Sequence, residues 1–126
     1  MSDEAVPKHV QQLIDERIDS VAQLEIMLQL QANPARAWSP GELAQAMRID
    51  RAMAKVQLDD LCARQLVNCG TVGQYRYWPA TPELDAAARD LARAYTDRRV
   101  TVIGLIFSKP VDKLRTFADA FRLRKD

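Results

Sequence analysis

Two helix-start signals stand eleven residues apart in the middle of this chain, and an alternating stretch follows the second. The first is Ser39-Pro40-Gly41-Glu42. A serine at the N-cap accepts the backbone N–H three residues on, and a glutamate at that position reaches back to the N–H of the cap. Proline at the first helical position gives up no needed hydrogen bond. The second signal is Arg48-Ile49-Asp50, a turn that ends on a capping aspartate. It opens a helix predicted to run to Gln65. Leu66-Val67 then leads into two alternating runs, Val67-Asn68-Cys69 and Tyr75-Arg76-Tyr77-Trp78, which read as paired strands. Gly70-Thr71-Val72-Gly73 forms the tip between them, and Pro79 ends the second strand. The order is helix, tight turn, helix, hairpin.

The faces of the two helices follow from a turn of about 100° per residue. Leu43, Ala44 and Met47 form the inward stripe of the first, and Ala54, Leu58, Leu61 and Gln65 that of the second. Taken together, residues 39–79 resemble a winged helix-turn-helix, the module many bacterial transcription regulators use to read DNA. The resemblance implies a short strand at Ala37-Trp38 pairing with the hairpin, with Trp38 as a core or hairpin-covering aromatic. Regulators of this type commonly carry Gly-Leu-Val where this chain has Gln65-Leu66-Val67.

Helices extend the module at both ends. Val10, Leu13, Ile14 and Ile18 recur at three- and four-residue spacing, so a helix starts near Pro7. Ser20 to Gln23 matches a second capping box, and Val21, Leu24, Met27 and Leu28 continue a stripe to about Gln31. Residues 8–31 read as one helix or two, and Asn33-Pro34 ends the stretch. Thr81-Pro82-Glu83 caps a further helix. Its stripe of Leu84, Ala88, Leu91 and Tyr95 continues through Arg98, Val102 and Leu105, predicting one helix of about 25 residues. The β-branched run Val100 to Ile103 makes a strand over residues 99–107 the competing reading. Pro110 then opens a last amphipathic helix with Leu114, Phe117, Ala118 and Phe121 on one face. The helix after the hairpin resembles the dimerisation helices of small PadR- and MarR-type regulators. That implies a homodimer seam of Leu84, Leu91, Tyr95, Val102 and Leu105.

Length and composition bound the rest. The 126 residues suffice for one domain with a real core. Net charge is +1, but residues 1–36 carry three bases against six acids, and residues 80–126 ten against seven. No apolar run approaches the ~20 residues that span a bilayer, and the N-terminus has no secretory pattern. Cys62 and Cys69 lack C-x-x-C spacing, and a single histidine leaves no Cys/His zinc set, so both read as reduced thiols of a cytoplasmic protein, with a redox role as the alternative. His9 reads as solvated. Asp15-Glu16 and Asp59-Asp60 are neighbours that diverge around a helix, so each pair reads as a solvated face. No catalytic, metal or cofactor constellation is present, and the expected chain is not an enzyme.

The outward face of the helix after Asp50 carries the functional choice. A recognition helix reads bases in the major groove with donors and acceptors on its first turns. Arg51, Lys55 and Gln57 supply these, and Arg76 serves the wing. Met53 and Val56 also face outward, Asp59 and Asp60 would repel phosphates, and residues 70–74 hold no Lys or Arg. Ala52, Met53, Val56 and Ala63, rimmed by Lys55, Asp59 and Asp60, form instead an apolar strip with charged edges, suited to a protein partner.

The expected fold is mainly α with a small β-hairpin wing: an N-terminal arm and helix over residues 1–18, a winged helix-turn-helix over 19–80, and a C-terminal helical extension over 81–126. The expected function is a DNA-binding transcription regulator acting as a homodimer on double-stranded DNA. The alternative is a protein-docking adaptor using Ala52, Met53, Val56 and Asp60.

Overall fold

Ser39 closes both halves of its box: its hydroxyl accepts the Glu42 N–H at 3.1 Å, and Glu42 Oε1 accepts the Ser39 N–H at 2.9 Å. Asp50 accepts the Met53 N–H at 3.0 Å, and Thr81 accepts the Leu84 N–H at 3.0 Å. Each satisfies a donor that a helix start leaves open, which is why these helices begin where they do. The computed structural model describes residues 6–71 and 73–108. Within them run α1 (Lys8–Arg17), α2 (Val21–Gln31), α3 (Pro40–Met47), α4 (Arg51–Ala63), β1 (Val67–Thr71), β2 (Gln74–Tyr77), α5 (Pro82–Asp97) and α6 (Arg99–Phe107). Residues 8–31 are thus two helices, parted by extended backbone at Ile18. Ser20 accepts the Gln23 N–H as its box predicts, but the Gln23 side chain reaches back to the N–H of Asp19.

Between α3 and α4, Arg48 takes a left-handed conformation (φ 58°, ψ 49°) that turns the chain within three residues. After α4 the chain turns again at Gln65, with φ 69°. This is a backbone region where glycine is at ease and other residues are strained. Gln65 is exposed there, beyond the end of α4 and off the inward stripe where its spacing placed it. Backbone hydrogen bonds hold the turn: Leu66 N–H to the Leu61 carbonyl at 3.1 Å, and Ala80 N–H to the Gln65 carbonyl at 3.0 Å.

β1 and β2 pair antiparallel, with Val67 opposite Tyr77 and Asn68 opposite Arg76. Trp38 adds the expected short third strand, exchanging backbone hydrogen bonds with Tyr75 at 2.7 and 2.8 Å. Its ring is buried. Trp78, in contrast, lies beyond β2 and is 61% exposed.

One hydrophobic cluster draws on each of the six described helices. It includes Val10 and Ile14 of α1, Leu24 and Met27 of α2, Leu43 of α3, Leu58 and Leu61 of α4, Ala88 and Leu91 of α5, and Val102 of α6. Each buried leucine or isoleucine contributes about 1.5–3 kcal/mol of transfer free energy. α1 packs on α5 and α6, and α2 packs on α4 and β2, so the terminal helices share the core of the central module.

Residues 99–107 are helical, which decides between the two readings of that stretch. The single helix of about 25 residues is not formed. Arg98 (φ −136°, ψ 54°) breaks it into α5 and α6. A straight continuation would carry nine further residues about 14 Å along the α5 axis. The bend lets Val102 and Ile106 bury against the cluster instead. The cysteines are not free thiols either: Cys62 and Cys69 form a disulfide, because the Gln65 turn sends β1 back along the end of α4. The helix predicted after Pro110 lies outside the described residues.

Candidate nucleic-acid interface

α4 stands on its buried stripe of Ala54, Leu58 and Leu61 and presents the opposite face outward. Arg51 is exposed at its first position. Its Nε would lie 3.9 Å from a Cβ built at Gly41, so the guanidinium sits beside the first turn of α3. Arg51 is therefore next to two helix starts, where backbone N–H groups favour negative charge. Arg48 is exposed in the α3–α4 turn, and Arg76 is exposed on β2. None of these three arginines forms an ion pair among the described residues. Arg36 lies 3.5 Å above the Trp38 ring, held by a cation–π contact beside the hairpin.

The other two sequence-predicted DNA contacts are tied to this chain. Lys55 Nζ meets Asp59 Oδ2 at 2.7 Å, one turn along α4. The Tyr75 hydroxyl donates to the other oxygen of the same carboxylate. The Lys55 hydrogen bond, aided by that from Tyr75, holds the Asp59 carboxyl below the usual carboxylate range. The Lys55 ammonium is correspondingly pushed up, first by its hydrogen bond to Asp59. Gln57 Oε1 accepts from Gln23 Nε2 at 3.2 Å.

Asp60 joins a second network. It accepts from Gln23 Nε2 at 2.5 Å and meets Arg64 Nε at 3.0 Å. Arg64 also pairs with Asp19 before α2, and Arg17 of α1 donates to the Arg64 carbonyl at 2.5 Å. Asp59 and Asp60, expected as a solvated pair, are thus anchors that fix α4 to the hairpin and to α2. The Lys55–Asp59 spacing of four signalled one of these contacts. The Tyr75 and Gln23 contacts join residues distant in sequence, and nothing local announced them. His9 is not simply solvated: its Nε2 lies 2.6 Å from Asp90 Oδ2, linking α1 to α5.

The alternative strip is narrower than expected. Val56 is 63% exposed, and Ala52 and Ala63 are exposed. Met53 is partly buried against the core, and Asp60 is half-buried in its network. Val56 and Ala63 border an open groove of about 640 Å³ whose other walls include Asp19, Gln23 and Asp60.

The expected dimer seam lies largely inside the single chain. Leu91, Tyr95 and Val102 are buried in the core, and Leu84 and Leu105 are half-buried against it. The Tyr95 hydroxyl donates to Glu25 Oε2 at 2.8 Å. Among the described residues, the large apolar side chains this segment leaves open are Val100, 84% exposed, and Phe107, 64% exposed, on one face of α6.

Among the described residues no group of three or more His, Cys, Asp or Glu side chains is placed to hold a metal ion. No helix among them is long and apolar enough to cross a membrane. No known protein family's sequence pattern matches the chain, and no curated protein matches it. Among solved structures, it is similar to the crystal structure of the reduced form of MarR from E. coli. The two are 12% identical, with a TM-score of 0.49 over 95% of this chain and 86% of that one. What α4 does is accordingly argued from its own side chains.

Proposed function

We propose that this chain is a small winged-helix transcription regulator that binds double-stranded DNA as a homodimer, with α4 in the major groove and the hairpin as wing. One observation carries the reading. The carboxylates on the outer face of α4 are engaged within the chain, whereas Arg48, Arg51 and Arg76 stand exposed without an ion pair among the described residues. Arg51 is the base-reading candidate, since a guanidinium pairs bidentately with a guanine edge. Arg48 and Arg76 suit phosphates, Lys55 becomes available when it leaves Asp59, and Gln57 assists from the side of the helix. The dimer forms through the C-terminal extension. Val100 and Phe107 contribute its open apolar surface, and Leu84 and Leu105 its half-buried edge. No cofactor is needed, and the protein works in the cytoplasm.

The test is binding to short random-sequence duplexes over a range of salt. Affinity is expected to fall steeply as salt rises, and the Arg51→Ala, Lys55→Ala double variant to flatten the slope by about two units. Salt-independent binding, or a double variant that binds like the parent, rejects the reading.

A second reading rests on the 63% exposure of Val56 on the same face. In it, Ala52, Val56 and the open edges of Met53 and Asp60 dock a protein. Loss of a protein partner on Val56→Asp, with Lys55→Ala without effect, selects this reading.

A further inference from the structure

Among the described residues, two bonds of different chemistry fasten the wing to α4. One is the Tyr75 to Asp59 hydrogen bond. The other is the disulfide between Cys62, at the end of α4, and Cys69, in β1, whose Cα atoms lie 6.1 Å apart. Around Cys69 the strand ladder is irregular. Asn68 faces Arg76, and the next pair is Thr71 with Gln74. Cys69 and Gly70 therefore share the place opposite Tyr75, two residues against one, as in a β-bulge. A bulge leaves part of a strand without ladder hydrogen bonds, and here the Gly70 N–H turns to Asn68 Oδ1 at 2.7 Å. The disulfide is the tie that holds this stretch of β1 to α4.

The base of the wing does not need it. Leu66 and Val67 are buried, Trp38 pairs with Tyr75, and the Trp78 N–H donates to the Leu66 carbonyl at 3.0 Å. Cys69 is exposed and Cys62 is half-buried, so a small reagent can reach the pair. An accessible disulfide joining two elements that are otherwise supported suits a reversible bond better than a structural staple. In a reducing compartment, disulfides are usually transient or redox-sensing.

We propose that Cys62 and Cys69 form a thiol–disulfide switch that locks the bulged part of the wing to α4 when oxidised and releases it when reduced. The regulatory consequence rests on the DNA reading above: the locked wing is ordered before binding, so the oxidised form holds duplex DNA more tightly. The oxidant is a small-molecule disulfide. One cysteine thiolate attacks it, forming a mixed disulfide and expelling one small thiolate. The second cysteine thiolate then attacks the protein sulfur of that mixed disulfide and expels the other. Two electrons pass from the protein to the small disulfide. The two thiol protons end on the two small thiols released. Excess small thiol runs the same steps in reverse.

The full chain is equilibrated in buffers of graded reduced and oxidised glutathione. Alkylation followed by intact mass counts the free thiols, and amide exchange reads the structure of each form. The amides of Asn68, Cys69, Gly70 and Gln74 are expected to exchange at least about tenfold faster in the reduced form, while those of Leu24, Leu58 and Leu91 keep their protection. Cys62→Ser and Cys69→Ser are each expected to behave as the reduced form in every buffer. Unchanged exchange in the wing overturns the switch. Loss of protection throughout the helices on reduction also overturns it, since the bond is then a staple of the fold. In parallel, a labelled random-sequence duplex is expected to bind the oxidised form about tenfold more tightly. Equal binding by both forms overturns the regulatory consequence and leaves the DNA reading standing. No binding by either form removes the DNA reading, and the exchange data still decide the lock.

Discussion

The Tyr75 hydroxyl, on the inner face of β2, donates to Asp59, on the outer face of α4. A residue that would repel phosphate is thereby made the point at which the wing grips the helix. Tyr75→Phe keeps the buried ring and removes the donor. The cost is expected near 1 kcal/mol, the net worth of a hydrogen bond to a partly exposed carboxylate, read as a lower urea midpoint with an unchanged slope. The same variant lets the Asp59 carboxyl rise toward its ordinary range, because only Lys55 then holds it down. An unchanged urea midpoint together with an unchanged Asp59 titration rejects the coupling.

Asp59 also restrains Lys55 through the 2.7 Å ion pair. Asp59→Asn keeps an acceptor for Tyr75, frees the ammonium and removes a negative charge from the outer face. On the DNA reading this variant binds random-sequence duplex more tightly at low salt, by roughly three- to tenfold. Its salt dependence steepens by about one unit, as one more phosphate contact implies. On the adaptor reading duplex binding is absent in parent and variant alike. The two readings thus part on one substitution that leaves the core untouched.

The central module was legible because its signals are local. Ser39, Asp50 and Thr81 cap the nearest amides, and Leu43, Ala54, Leu58 and Leu61 fall on one face by spacing alone. Two features were not legible, because each depends on the folded-back chain. The stripe through Arg98 runs on without a breaker, yet the core rewards a bend there by burying Val102 and Ile106. The disulfide follows from the turn at Gln65, a residue type that seldom takes positive φ and so gives no warning of how sharply β1 returns. The site divided in the same way. The exposure of Arg51 follows from helix phase, whereas the capture of Gln57 and Asp60 by Gln23 required α2 to be in place.

All three tyrosines of the sequence are buried and donate to carboxylates: Tyr75 to Asp59, Tyr77 to Asp85 and Tyr95 to Glu25. Burial pushes the Tyr77 hydroxyl strongly up, with Asp85 adding to it. Tyr95 is raised first by burial, and Tyr75 first by its hydrogen bond to Asp59. A folded pKa above the unfolded value of 10.0 stabilises the native state fully below that pH. The contribution is lost as pH rises further toward the folded values. Stability is therefore expected to fall from about pH 10 upward. Tyrosinate absorbance should appear together with loss of helical circular dichroism rather than before it. Tyr77→Phe should flatten the alkaline slope most, since that hydroxyl is shifted furthest. Ionisation of all three tyrosines in a chain that stays helical rejects this account.

Gly104 lies in the interior of α6, and a Cβ built there meets nothing within 4 Å. Glycine inside a helix costs about 1 kcal/mol relative to alanine, mostly in backbone entropy. Gly104→Ala is therefore expected to stabilise the isolated chain by about that amount, seen as a higher urea midpoint at low protein concentration. Gly104 also lies between Val100 and Phe107 on the open face of α6. If two copies meet there, a larger side chain at this position meets the partner backbone. Gly104→Trp should then leave the helix content of the monomer intact and weaken the dimer in sedimentation, while Gly104→Ala retains it. A Gly104→Trp chain that dimerises like the parent removes this face from the interface.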